Sequence, residues 1–263
     1  MRKKRLDILL TERGVVESLQ RAQSLIMAGQ VLVNDEVVDK PGKRAPEDAR
    51  VTIREGLPYV SRGGIKLEHA LNRFEVDVTG KITADVGAST GGFTDCLLQR
   101  GARRVYAIDV GYGQLAWRLR QDPRVVVMER SNVRYVESLP DPIDLATVDV
   151  AFVSLVLILP KVMNLLQPKG EIIALIKPQF EAGREQVSKG GVVKDPAVHR
   201  AVLEKILAWA MNNRLRALGL TPSPLKGPAG NLEFFAYLSR DESLESTSIE
   251  EAIAASLAEA VSL

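Results

Sequence analysis

The chain has 263 residues, of which 46% are hydrophobic, 26% charged and 5% aromatic. These proportions belong to a folded soluble protein and exclude disordered, collagen-like and silk-like chains. The net charge of +2 hides an asymmetry, because residues 240–263 hold six acids against one base and the remainder carries +7. A basic body permits nucleic-acid binding without establishing it. The length allows one or two domains with a substantial core. One cysteine, Cys96, cannot form an internal disulfide, and His69 and His199 lie far apart, so no metal centre is expected. No signal-peptide pattern and no run of about 18 apolar residues occurs, so a cytoplasmic protein is expected.

Residues 1–60 read as a small α+β unit. Leu6, Leu9 and Leu10 share one face of a short helix that stops at Gly14. Ser18 is a candidate N-cap for a second helix, with Ala22, Leu25 and Ile26 inward and Gly29 at its end. Val31-Leu-Val-Asn-Asp-Glu-Val-Val38 predicts two strands around an Asn-Asp turn, and 51–53 a further strand. A Gly- and Pro-containing hinge follows at 55–64. Beyond it, helices are predicted over 66–74, 93–100, 114–120 and 199–218, with one more ending at Leu166. Strands are predicted over 82–86, 104–109, 125–128, 143–150, 171–176 and 231–239. This alternation over 61–240 predicts an α/β fold, a mainly parallel sheet with helices on both faces. In 241–263, Thr247 with Glu250 and Ser248 with Glu251 both read as capping boxes. Ile249, Ile253, Leu257 and Val261 recur every four residues, so a docked C-terminal helix is expected.

The segment Asp85-Val-Gly-Ala-Ser-Thr-Gly-Gly-Phe93 joins a predicted strand to a predicted helix. Gly87 allows a sharp turn, and Gly91 and Gly92 would let a ligand approach backbone N–H groups. The dinucleotide spacing G-x-G-x-x-G and the phosphate-loop lysine are both absent, which disfavours dinucleotides and nucleoside triphosphates. Asp85 would repel a pyrophosphate and suit a cationic ligand such as S-adenosylmethionine. Asp109 ends the next strand, where a carboxylate can accept ribose hydroxyls. Asp149 and Lys177 also fall at strand ends. Lys177 follows an apolar strand, where desolvation would favour the neutral amine that a base requires. Lys66 lies just past the hinge, and Glu233 starts a last strand of undetermined direction. Cys96 inside a helix reads as core, which disfavours methylation at pyrimidine carbon 5. No Pro-Pro-aromatic turn follows Asp149, which disfavours an exocyclic nitrogen as acceptor. A lysine base suits a hydroxyl. His69 and His199 read as helix-surface residues.

Residues 5–61 resemble an S4 RNA-binding module through Arg5-Leu-Asp7, Arg21-Ala-Gln-Ser-Leu-Ile26, Gly29-Gln-Val-Leu-Val-Asn34 and Lys40-Pro41. Residues 62–239 resemble the FtsJ-like ribose methyltransferases, with a Rossmann-like sheet. The joint pattern resembles the TlyA family, also labelled hemolysin A. Its marks are Ser61-Arg-Gly-Gly-Ile-Lys66-Leu67, the glycine loop, Asp109-Val-Gly-Tyr-Gly-Gln-Leu115, Lys177-Pro-Gln-Phe-Glu181 and Gly230-Asn-Leu-Glu233. Ala151 and Ser131 depart mildly from the family pattern.

The resemblance implies S-adenosylmethionine-dependent 2′-O-methylation of a cytidine ribose in ribosomal RNA, within ribosomal subunits and without metal or membrane. It implies a catalytic tetrad of Lys66, Asp149, Lys177 and Glu233. Lys177 would take or steer the hydroxyl proton, Lys66 would stabilise the oxyanion, Asp149 would orient Lys177, and Glu233 would hold the lysines. An arginine would then fail at Lys177 and be better tolerated at Lys66 if that residue only stabilises charge. The cofactor would contact Asp85, Gly87, Ser89, Gly91, Gly92, Phe93, Asp109, Asn132 and Asp149. Arg5, Arg13, Arg21, Lys40, Lys43 and Arg62 would grip RNA. The alternatives are an inactive RNA-binding assembly factor and a membrane-lytic hemolysin.

Overall fold

The computed structural model describes residues 3–27, 30–34, 36–38, 40–53 and 58–262. The chain divides into two compact units, Met1–Leu57 and Pro58–Leu263.

The first unit opens with β1 (Lys3–Arg5) and α1 (Leu6–Glu12), then α2 (Leu19–Met27). Four short strands follow: β2 (Val31–Val33), β3 (Glu36–Val38), β4 (Arg44–Pro46) and β5 (Val51–Ile53). β2 pairs antiparallel with both β3 and β5. Asn34 turns the β2–β3 connection at φ +52°, a left-handed conformation that asparagine tolerates. Leu6, Leu9, Leu10, Ala22, Leu25 and Ile26 form the core, with Val31 and Val38 from the sheet. The β1–β4 pair is not foreseen from sequence. The expected helix end at Gly29 and hinge residues 55–57 lie outside the described residues.

The second unit begins with α3 (Arg62–Arg73), so 62–64, expected in the hinge, form its first turn. The parallel strands are β6 (Ile82–Val86), β7 (Arg104–Ile108), β8 (Val125–Met128), β9 (Ile143–Val148) and β10 (Leu166–Ile176). Between them lie α4 (Gly92–Gln99), a single-turn α5 (Trp117–Arg120) and α6 (Leu155–Leu165). After β10 come α7 (Pro178–Glu181), α8 (Pro196–Asn212), β11 (Arg216–Pro222), β12 (Phe234–Ser239) and α9 (Ile249–Ala260). The sheet order is β11-β12-β10-β9-β6-β7-β8. The predicted helix over 199–218 is corrected: α8 ends at Asn212, Arg214 turns the chain at φ +63°, and β11 pairs antiparallel with β12.

Two buried clusters cover the two faces of this sheet. One joins α6, α8 and α9 to Val86, Ala146, Val148 and Ala174. The other joins α3 and α4 to Val105, Ala107, Leu145 and Leu175. Uninterrupted apolar runs such as Glu171-Ile-Ile-Ala-Leu-Ile176 form strands here because both faces are covered. In α9, Ser248 is the N-cap, its hydroxyl accepting from Glu251 N. The inward face carries Ile253, Ser256 and Ala260 rather than Val261, which is 88% exposed. Ser256 Oγ donates to Leu220 O at 2.9 Å and ties α9 to β11.

Candidate active site

The strand order reverses between β6 and β9, which opens a crevice at the carboxyl ends of the parallel strands. Asp109 follows β7, Asp149 follows β9 and Lys177 follows β10. β12 runs antiparallel to β10, with Phe234 opposite Ile176. Its direction is thereby settled, and Glu233, one residue earlier, arrives at the same end of the sheet.

A cavity of about 550 Å³ occupies the crevice, lined by Gly87, Ser89, Asp109, Asn132, Asp149 and Phe152 among others. This lies within the range of pockets that bury a small organic ligand. Asp109 Oδ2 accepts from Ser89 N at 2.8 Å, and Oδ1 from Gly111 N at 2.6 Å. Each oxygen retains acceptor capacity toward the cavity. Asn132 Oδ1 caps the turn at Val133–Tyr135 by accepting from Arg134 N. Phe152 sits at φ +61° with 90% of its surface exposed, and its ring lies 4.9 Å from that of Phe180.

Four residues expected at the cofactor do not line this cavity. Asp85 is fully buried and does not line the cavity. Its Oδ2 accepts from Thr94 N at 2.8 Å and Thr94 Oγ1 at 2.6 Å, pinning the start of α4 to β6. Burial raises its carboxyl to about 7, against the pull of the Thr94 hydrogen bonds. A Cβ on Gly91, at φ +95°, would meet Leu119 Cδ1 at 2.3 Å, and one on Gly92 would meet Ser61 Oγ at 2.2 Å. The absence of a side chain at these glycines admits α5 and the start of α3. Phe93 is buried against Phe235. Gly87 does turn the chain at the cavity wall, where a Cβ would stand 2.3 Å from Asp149 O.

The four tetrad candidates form two ion pairs. Lys66 Nζ, on α3, lies 2.5 Å from Glu233 Oε2. Lys177 Nζ lies 2.5 Å from Asp149 Oδ1. The Asp149 oxygen is buried and makes no well-directed hydrogen bond, so the contact is an ion pair. The first pair is almost closed to solvent and the second is partly open.

All six RNA candidates are exposed, and Arg5, Arg13 and Arg62 are also engaged by groups of the protein. Arg5 is paired with Asp7 at 2.7 Å, which holds that carboxyl down to about 2. Arg13 donates to Ala49 O at 2.7 Å and to Glu47 O. Arg62 donates to Lys226 O at 2.9 Å. His199 is not a surface residue: it is buried against Phe234, and burial lowers its pKa.

Three buried polar residues carry roles that sequence reasoning missed. Asp95 accepts from Val60 N at 2.7 Å and pairs with Arg118. Asn231 spans from Val193 N (2.9 Å) to Gly191 O (2.8 Å). Glu181 accepts from Ser154 Oγ and Leu155 N, both at 2.6 Å. Glu181 and Asn231 sit inside motifs quoted above, which was their available signal.

The sheet and its cavity belong to the class of fold that methyltransferases use, and comparison with known proteins gives the class. The FtsJ-like methyltransferase family matches residues 59–240 and the S4 domain matches 4–51. The chain belongs to the FtsJ-like methyltransferases and carries an S4 domain ahead of the methyltransferase. Its methyl donor is S-adenosylmethionine.

Among its relatives is the 16S/23S rRNA (cytidine-2′-O)-methyltransferase TlyA of Mycobacterium tuberculosis, 40% identical with 98% of each chain covered. Hemolysin A of Brachyspira hyodysenteriae is also 40% identical, over 89% of this chain and 98% of the other. A solved structure from Streptococcus thermophilus that bears the hemolysin designation matches with a TM-score of 0.76 and 44% identity. It covers 100% of this chain, which covers 98% of it.

Proposed function

We propose that this protein methylates the 2′-hydroxyl of a cytidine ribose in ribosomal RNA, acting on ribosomal subunits in the cytoplasm. The observation that carries the reading is the pair of lysine–carboxylate contacts at the sheet's carboxyl end, one of them made by Asp149, which lines the cavity of about 550 Å³. The cytidine and the ribosomal substrate are supported by the name of the mycobacterial relative.

The cavity fits S-adenosylmethionine in volume and in donor set. Asp109 would hold the ribose hydroxyls, with Ser89, Asn132 and Asp149 around it. When bound, the cofactor supplies an electrophilic methyl group. Lys177, with 15% of its side chain exposed, can reach a hydroxyl from outside. A ribose hydroxyl is a poor nucleophile until its proton is removed or its oxygen is steered: Lys177 takes that proton once it has released its own to solvent, and as an ammonium it steers the hydroxyl oxygen by donating to it. Asp149 fixes the direction of Lys177. Lys66, fastened by Glu233, supplies a positive charge for the developing oxyanion. Positioning contributes the rest of the rate. Lys40, Lys43 and Arg21 supply phosphate contacts from the S4 unit.

The test is transfer of tritiated methyl groups by the full chain to purified ribosomal subunits, followed by nuclease mapping. The expected result is label at a 2′-O-methylcytidine. Label on a base, or none with any subunit or naked RNA, overturns the reading. The hemolysin designation of two relatives gives the membrane-lytic reading its support. No helix of the described residues is long and apolar enough to cross a membrane. Dye release from liposomes by the pure protein would favour that reading.

A further inference from the structure

Two segments leave the sheet side by side, one after β9 and one after β10. The first runs from Asp149 to Leu155 and forms part of the cavity wall. The second is Lys177-Pro-Gln-Phe-Glu181. Beyond the last backbone pairing, side chains continue the contact between them in three rungs. Asp149 meets Lys177 at 2.5 Å, Phe152 meets Phe180 at 4.9 Å between ring centroids, and Ser154 and Leu155 meet Glu181 at 2.6 Å. All three rungs advance in the same direction along both segments.

The last rung is the strongest. Glu181 has 2% of its side chain exposed. Its Oε1 takes the Leu155 N–H, one of the donors that the start of α6 leaves without an intrahelical partner. Its Oε2 takes the Ser154 hydroxyl hydrogen, which leaves a lone pair of that hydroxyl for Val156 N. A carboxylate at a helix N-terminus is also stabilised by the helix dipole. Lys205, on α8, reaches Glu181 Oε2 at 3.3 Å and Glu181 O at 3.0 Å, balancing the charge. Both oxygens therefore need to be acceptors, a condition that a carboxylate meets and a carboxamide does not.

We infer that Glu181 is a positioning residue for the reaction, which fixes the two segments against each other so that Asp149 holds Lys177 in line with the substrate hydroxyl. The inference rests on the proposed function above. It predicts a defect expressed through Lys177 rather than through loss of fold. Glutamine keeps the volume of Glu181 but places an amide donor against either Leu155 N–H or the Ser154 hydroxyl.

The test is a double-substitution cycle on the full chain, read as the single-turnover rate of methyl transfer to ribosomal subunits with cofactor and RNA saturating. Glu181→Gln is expected to slow the step about tenfold, with RNA half-saturation within about twofold, because the lost interaction belongs to the transition state. Lys177→Ala is expected to slow it by about a hundredfold. The double variant is expected to be no slower than Lys177→Ala alone, since groups that act as a unit do not add. A wild-type rate in Glu181→Gln, or a double variant slowed by the product of the two effects, overturns the inference. A Lys177→Ala enzyme at full rate instead overturns the role given to Lys177 in the proposed function. Ser154→Ala, which removes one oxygen from the same rung, keeps the test open if Glu181→Gln does not fold. It is expected to give about a threefold loss in the same cycle, and a wild-type rate there overturns the inference too.

Discussion

The two lysine–carboxylate pairs of the active site have the same distance and different surroundings. Lys66 and Glu233 keep 10% and 2% of their side chains exposed, whereas Lys177 and Asp149 keep 15% and 25%. The first pair joins a helix to a strand far along the chain, and the second joins neighbouring parallel strands. A closed pair is a fixed charge whose partner cannot be removed cheaply. An open pair can exchange its contact for a substrate atom. The same contrast separates Asp85, turned inward on Thr94, from Asp109, which borders the cavity one strand away.

The sharpest way to break the contrast is to remove the carboxylate of the closed pair. Glu233→Ala would leave Lys66 buried and unpaired, at a cost of about 3–5 kcal/mol in urea unfolding. A loss below about 1 kcal/mol, the range of an exposed pair, would make the two pairs equivalent. Lys66→Arg is also expected to fail, because the larger guanidinium must fit where 8% of the residue is exposed. This revises the tolerance that charge alone suggests. Next in size, Lys177→Ala should slow methyl transfer by about a hundredfold while stability shifts by less than about 1 kcal/mol. Lys177→Arg should not restore the rate, since guanidinium does not give up its proton.

Smaller effects sharpen the comparison elsewhere. Asp109→Ala should weaken cofactor binding by about 1–3 kcal/mol in calorimetry, the scale for hydrogen bonds to a charged acceptor. Unchanged affinity would remove Asp109 from the ribose contact. In the S4 unit, Lys43 and Arg13 are both exposed, but the Arg13 guanidinium is engaged by Ala49 O and Glu47 O. Lys43→Ala should lower the slope of log affinity against log salt by roughly 0.7–0.9. Arg13→Ala should leave that slope alone and lower the melting temperature.

The parallel strands were legible because each is an apolar run between turn signals. β11 was not, since Arg216-Ala-Leu-Gly-Leu continues the apolar spacing of α8 and no proline or glycine marks the break. β1 was invisible for another reason. Lys3-Lys-Arg5 has no apolar alternation and becomes a strand only through pairing with β4. In the site, Asp149 and Lys177 could be found from their places at strand ends. Glu233 needed the direction of β12, which no local pattern encodes. The packing reason for Gly91 and Gly92 was not legible, because the space they leave is filled by Leu119 and Ser61, residues distant in sequence. The burial of Asp85 was hidden likewise, since it involves Thr94 and Thr147 of β9.

Lys66 and Glu233 stand 167 residues apart. A ribosome adding 5–20 residues per second takes roughly 10–30 s to travel that distance. Late in that interval the growing chain owns the lysine, the cavity wall and both Asp109 and Asp149, yet lacks the carboxylate that lets α3 settle with its charge enclosed. Competence therefore arrives late in synthesis, when the last strand threads back beside β10 and delivers Glu233 to a partner made long before.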